Sequence, residues 1–468
     1  MVAIFDFNSS DNRHILGKST MPEKLYGSET ELAFEHFSIS GLRFPSDVIT
    51  ELARIKKHAA AVNVELGEIS SDVGYAIQKA AQSIQDGEHS EQFIVDLFQT
   101  GSGTSTNMNL NEVIANLATT DLVEVKANDH VNCSQSSNDV IPTAIQLACL
   151  VNVQKCLLPS LERLSSDLRS KGQETWDVVT TARTHLMDAV PIRFGNVLTS
   201  FADLLDCNVS VLQASSKRLG KLPLGGTAAG TGLNAHPEFA ARTITRIANE
   251  INEAEGCSIE LLESEDHIGA QSCPIGFLGF SGALRESSIV LSKLANDFRF
   301  LNSGPSAGFG DIRLKKILKG SSIMPGKVNP VLCESMMQVS MYVRGADATV
   351  QSALAEASNF QLNTAFPLTA HMLLTSIKYM TNVCKLFAKN YIRPFEMCDE
   401  LRKSITIRTS QNPMLVTALN RECGYKKGEE ICALAEKNKI SILEAAVLLL
   451  PERNATDLRE ILNPNNMC

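Results

Sequence analysis

Three stripes of apolar residues recur at intervals of three and four, and they limit the chain to folds built from long packed helices. The first runs through Phe277, Phe280, Leu284, Ser287, Leu291, Leu294, Phe298 and Leu301, with one serine in the stripe. The second is Met336, Val339, Val343, Ala346, Val350, Ala353 and Ala357; a shorter one is Leu198, Phe201, Leu205, Val209 and Leu212. A spacing near 3.5 puts such residues on one helix face and lets helices pack along their length. A helix from Phe277 to Leu301 is about 36 Å long at 1.5 Å per residue, longer than most globular helices. Few runs are rich in β-formers, and no repeat or low-complexity segment interrupts the chain. The expected fold is therefore mainly α, around a central bundle of long helices. The small Ala346, Ala353 and Ala357 permit close helix approach, either within one chain or between subunits.

A chain of 468 residues is too long for one simple core, so two or three domains are expected. We expect an N-terminal domain over residues 1–134, the helix bundle over 135–395 and a small helical C-terminal domain over 396–468. The formal charge of −9 disfavours a nucleic-acid surface, which is usually basic. An acidic protein that handles an anion must place its few cations locally. The twelve cysteines never fall as C-x-x-C, which leaves no zinc or iron–sulfur spacing. Scattered thiols fit a reducing compartment. The opening MVAIFDFNSSDNRHILGK has neither a basic stretch ahead of an apolar core nor an Arg-rich amphipathic pattern. No uninterrupted apolar run approaches the roughly eighteen residues of a membrane span. The expectation is a cytoplasmic protein with no nucleic-acid or membrane partner, no metal and no cofactor.

Chemistry concentrates between Gly320 and Pro330, in GSSIMPGKVNP. Two serines, a lysine and an asparagine share a loop stiffened by glycine and proline. Such a loop can present a hydroxyl as a base while Lys327 and Asn329 grip an anion beside it. Pro330 suits the first position of a helix, where its missing N–H would have no partner in any case. The loop would then lie at a helix N-terminus, which favours negative charge. A phosphate-binding loop needs four residues between its glycines and Ser or Thr after the lysine. Here five residues separate Gly320 from Gly326, and Val328 follows Lys327.

GSSIMPGKVNP resembles the signature of the fumarase/aspartase superfamily. The blocks QTGSGTSTNMNLNEVIAN (Gln99 to Asn116), VNCSQSSND (Val131 to Asp139), ARTHLMDAVP (Ala182 to Pro191) and LGGTAAGTGLN (Leu224 to Asn234) resemble the family's other blocks, in the family's order. The resemblance implies a homotetramer whose central helices form one shared bundle, and a small dicarboxylate as substrate. It implies reversible anti addition of water to fumarate, giving (S)-malate. GSGT, SSN and LGGTA favour this reaction over its alternative, the elimination of ammonia from L-aspartate. A remoter alternative is a structural or binding homologue without activity, but every expected catalytic position is filled.

Dehydration of malate needs a base for a weakly acidic proton beside a carboxylate, donors for the resulting charge and an acid for the departing hydroxyl. By resemblance Ser321 is the base, although the residues alone do not separate it from Ser322. It would need activation by loop N–H groups and by Lys327. Lys327 and Asn329 match the family's carboxylate-binding pair. His185, beside Thr184, matches the histidine that pairs with a glutamate, here Glu334. A carboxylate behind an imidazole fixes its tautomer and suits it to carrying the proton of the water or hydroxyl. Ser102 and Thr104 of GSGT, and Ser136, Ser137 and Asn138 of SQSSND, would close on substrate oxygens, with Thr227 lining the site. Two departures stand out. Ser306 occupies the place after SGP where many relatives carry arginine. Lys126, Ala127, Asn128 and Asp129 replace the HPND-like run of a second anion site, so that site is not expected.

Overall fold

The structure is a computed structural model that describes residues 24–468. The segment read above for a leader lies outside the described residues, as do the first 23 residues of the expected N-terminal domain. The three stripes fall on helices Phe194–Leu219, Ile275–Leu301 and Val331–Glu356. Their residues are buried except for Leu301, Val339 and Ala357, which are half-buried. Leu158–Glu174 packs on Phe194–Leu219, which packs on Ile275–Leu301, which packs on Val331–Glu356. Phe366–Phe387 lies against Val331–Glu356 and reaches back to Leu158–Glu174. Five helices thus close a bundle inside one chain. Phe298 meets Phe387 edge-on within it, ring centroids 5.8 Å apart.

The fold is mainly α. Among the described residues the strands form only two-stranded sheets, the largest being the hairpin Val179–Thr184 and Met187–Arg193. A second, smaller hydrophobic cluster gathers residues from Leu415 to Leu462, separate from the main core.

Two expectations need correction. The helix after the signature loop begins at Val331, with Pro330 as its N-cap at φ −80° and ψ 61°. Proline's fixed φ fits the helix, but its ψ has not yet turned helical. The second concerns hydropathy. The continuous helical run Ser137–Glu174 is long and apolar enough to span a membrane, yet 72% of its most apolar window is buried in the protein. Isolated polar residues break the run when it is read letter by letter, while its average stays apolar because it fills the core.

Candidate active site

Two helix N-termini meet at the head of the bundle. Thr104–Ala118 starts after Gly103, whose φ of +75° and close approach to the Ile141 side chain leave no room for a Cβ. Ser137–Asn152 starts from Ser136, which forms a reciprocal capping box with Asp139. Ser102 and Thr104 hydroxyls lie 2.8 Å apart at the first N-terminus. Asn107, one turn along, donates to Ser137 Oγ at 3.0 Å. Adjoining N-termini sum their free N–H groups and partial positive charge, which favours an anion between them.

The glycine-rich block is fastened to the same place. Asp139 is fully buried and accepts N–H groups from Ser136 at 2.9 Å and from Gly225 and Thr227 at 3.0 Å each. Asn138 Nδ2 donates to the Ala228 carbonyl at 2.8 Å. Thr227 sits at φ +53°, and its buried Oγ1 has no hydrogen-bond partner in the chain. Ser102, Thr104, Ser136, Ser137, Asn138 and Thr227 therefore belong to one assembly. Burial pushes the Asp139 carboxyl upward, against the backbone N–H groups that favour its carboxylate.

Around the signature loop, Ile323 N–H donates to Ser321 Oγ at 3.2 Å and Met324 N–H at 2.9 Å. Ser322 receives no such pair. The two amides would stabilise charge on Ser321 Oγ, the property a serine base needs. Asn329 Nδ2 donates to the Gly320 carbonyl at 2.7 Å and so closes the loop on itself. A Cβ on Gly320 would lie 2.0 Å from the Lys327 carbonyl, which explains a glycine there. Lys327 and Glu334 are exposed and have no ion-pair partner among the described residues.

His185 and Leu186 form the two-residue tip of the hairpin, at φ +55° and +63°. Tips of this kind favour Gly or Asn, and two bulky residues there store strain of the sort found at functional sites. Just below its tip the hairpin is tied down. Arg183 pairs with Asp311 at 2.6 Å and lies over the Phe309 ring, and Arg408 reaches the same carboxylate at 2.8 Å. Asn412 Nδ2 donates to Thr181 Oγ1 and to the Ala189 carbonyl. Thr184 and His185 stand exposed beyond these ties, and among the described residues His185 has no hydrogen-bond or ion-pair partner. The chain thus joins the GSGT, SSND and GGTAA blocks but does not pair His185 with Glu334. Among the described residues no three His, Cys, Asp or Glu side chains are grouped to hold a metal.

Sequence reading missed Asp139 as the clamp between blocks, although S-x-x-D at a helix start signals a capping box. It also missed Lys56. This residue is fully buried, with its pKa pulled down to about 7 by burial. A lysine in an otherwise apolar helix stripe was the available signal.

Residues 17–345 match the family described as lyase. The chain is 40% identical over 440 residues to "Fumarate hydratase class II 2" of Pseudomonas aeruginosa, covering 93% of each. It is 40% identical over 428 residues to a Corynebacterium glutamicum protein named "Fumarate hydratase class II", covering 91% of this chain and 89% of that one. Among solved structures, a class II fumarase from Schistosoma mansoni superimposes with a TM-score of 0.91 at 32% identity, covering 96% of both chains. A "fumarate lyase:delta crystallin" from Brucella melitensis gives a TM-score of 0.87 at 36% identity, covering 95% of this chain and 96% of that one.

Proposed function

The chain belongs to this lyase family, within the fumarase/aspartase superfamily, and we propose that it is a fumarate hydratase. The observation that carries the mechanism is the pair of N–H groups on Ser321 Oγ. Ser321 takes the proton from the carbon beside one carboxylate of malate, and Ile323 and Met324 N–H groups hold the charge on its oxygen as it does so. The dianionic enediolate formed on that carboxylate meets Lys327 and Asn329. Ser102, Thr104, Ser136, Ser137, Asn138, Thr184 and Thr227 receive the remaining substrate oxygens. The electron pair collapses to the double bond, and the hydroxyl leaves as water with a proton from His185, which Glu334 orients from behind. Acid and base lie on opposite faces, so addition is anti. Incubation with fumarate, with and without ammonium, tests the reaction by the fading of the double bond's ultraviolet absorbance. Fading without ammonium, and malate as product, is expected; fading only with ammonium means aspartase chemistry, and none with either means a binding protein.

The reading includes a homotetramer with sites shared between subunits and the bundle of residues 135–395 at its centre. Support comes from outward-facing apolar side chains on the bundle helices: Leu204 is 40% exposed, Leu278 41%, Ile289 49% and Met341 54%. A shared bundle would cover them, and a neighbouring subunit would bring a partner to the exposed His185 and Glu334. Co-refolding inactive Ser321→Ala with inactive His185→Asn should restore part of the activity. Verified mixed tetramers without activity would assign both residues to one subunit. Cytoplasmic residence belongs to the same reading, since all twelve cysteines lie in the described residues and are unpaired.

A further inference from the structure

Lys56 lies on the helix Ser46–Glu65, with none of its surface exposed, and the reaction above does not use it. Its Nζ donates to Asn132 Oδ1 at 2.9 Å. The same oxygen accepts Asn107 Nδ2 at 3.2 Å, while the other face of the Asn132 amide donates to the Gln135 carbonyl at 3.2 Å. Asn107 Nδ2 also donates to Ser137 Oγ.

These links have a direction. An ammonium can donate but not accept, so Lys56, together with the Gln135 carbonyl, which can only accept, holds Asn132 with its oxygen toward Asn107 and Asn111. That oxygen forces Asn107 to present its amide nitrogen, and Asn107 then occupies the Ser137 oxygen as an acceptor. The Ser137 proton finds no acceptor among the described residues and is left for a ligand. If Asn132 turned over, Asn107 would turn with it, and its oxygen, which is buried without a partner, would take up the Ser137 proton. Burying a charge is costly unless it is compensated, yet the lysine makes no ion pair among the described residues; Asp139 supplies only a nearby negative field.

We propose that Lys56 is a positioning residue that, through Asn132 and Asn107, fixes the Ser137 hydroxyl as a donor to a substrate carboxylate. The inference rests on the reading of Ser137 as a substrate grip. Lys56→Met keeps the bulk and removes the donor. Assayed below pH 7, where the lysine is protonated, this variant should raise KM for fumarate about tenfold with kcat within about twofold, the pattern of lost uniform binding. In a Ser137→Ala background the same substitution should change KM little, because the two act as one unit. If Lys56→Met does not assemble, Asn107→Leu breaks the same line and should give the same KM rise and the same loss of effect with Ser137→Ala. An unchanged KM in the assembled single variant, or an equal rise with and without Ser137, overturns the inference while leaving the site intact. An unchanged KM for Ser137→Ala alone overturns both the grip and its positioning.

Discussion

Replacing Asp139 with alanine should loosen the whole anion-facing end of the bundle. The carboxylate accepts backbone N–H groups from Ser136, Gly225 and Thr227 at 2.9–3.0 Å in a fully buried place. Each buried donor left without a partner costs about 1–3 kcal/mol. Gly225 is half-buried, so water can reach part of the gap and the lower end of that range applies: about 3 kcal/mol for the three donors. Two smaller effects oppose one another. Lys56 loses its nearby negative charge, while the desolvation that pushes the Asp139 carboxyl upward is relieved. The expected loss is therefore about 3 kcal/mol, with Asp139→Asn between alanine and parent because one of its two terminal atoms still accepts. Urea unfolding of the three proteins at one concentration reads the order directly, since assembly makes stability concentration-dependent. KM for fumarate should rise in the same order, as Ser136, Asn138 and Thr227 lose their shared anchor. An alanine variant within about 0.5 kcal/mol of the parent, the range of unremarkable surface changes, would show that Asp139 does not hold these blocks together.

Ser321→Ala should abolish turnover while leaving unfolding and assembly unchanged, because the hydroxyl sits on a half-exposed loop; near-normal activity in an assembled variant removes it as the base. Glu334→Gln should lower turnover by roughly ten- to a thousandfold, or about 1.4 to 4 kcal/mol, and adding His185→Asn should cost little more. Losses that multiply would make Glu334 an ordinary helix residue. Lys56 should leave a mark on stability against pH. Its pKa is lowered from 10.5 to about 7 in the fold, so between those values the unfolded chain binds the extra proton. Stability of the parent relative to Lys56→Met should therefore rise with pH above 7, by up to about 1.4 kcal/mol per unit. Thermal unfolding of the pair at several pH values gives the slope, and a constant gap means that the lysine is not desolvated.

The bundle was legible because its signal is repetition. The stripes from Phe277, Met336 and Leu198 each report one buried helix face, and no distant residue is needed to read them. Helix Phe366–Phe387 carries a stripe of the same kind, the buried Phe366, Ala370, Leu373, Ile377, Met380, Cys384 and Phe387, with Lys378, Asn382 and Lys385 on its exposed face, and the sequence reading passed it over. At the site, residue types could be read but not their partners. Ser321 and Ser322 are alike as letters, and only the fold of the loop sends two N–H groups to one of them. The S-x-x-D spacing could have marked Asp139 as part of a cap, but nothing local points to the Gly225 and Thr227 amides, which reach it from some ninety residues away.

What the single chain joins and what it leaves apart follow one physical division. The SSND and GGTAA blocks are bound by buried polar contacts to backbone, which stay made only where water is excluded, so they belong to the interior of one subunit. His185, Glu334 and Lys327 are ionisable and exposed, and desolvating any of them alone would be costly. Such groups are best kept in water until a counter-charge arrives. A neighbouring subunit can bring that partner and cover the apolar Leu186 and Met187 at the hairpin tip, 64% and 70% exposed, in the same step. The ties just below the tip matter here. With Arg183 and Arg408 both on Asp311, the strained tip keeps one position while it waits. Asp311→Asn should therefore weaken catalysis without touching any proposed catalytic group. The expected signature is a fall in kcat, since a displaced acid fails in the transition state, with KM for fumarate held by the Ser102 and Ser136 blocks. A rise in KM at constant kcat would instead tie Asp311 to binding and break the link drawn between the tied strands and the free histidine.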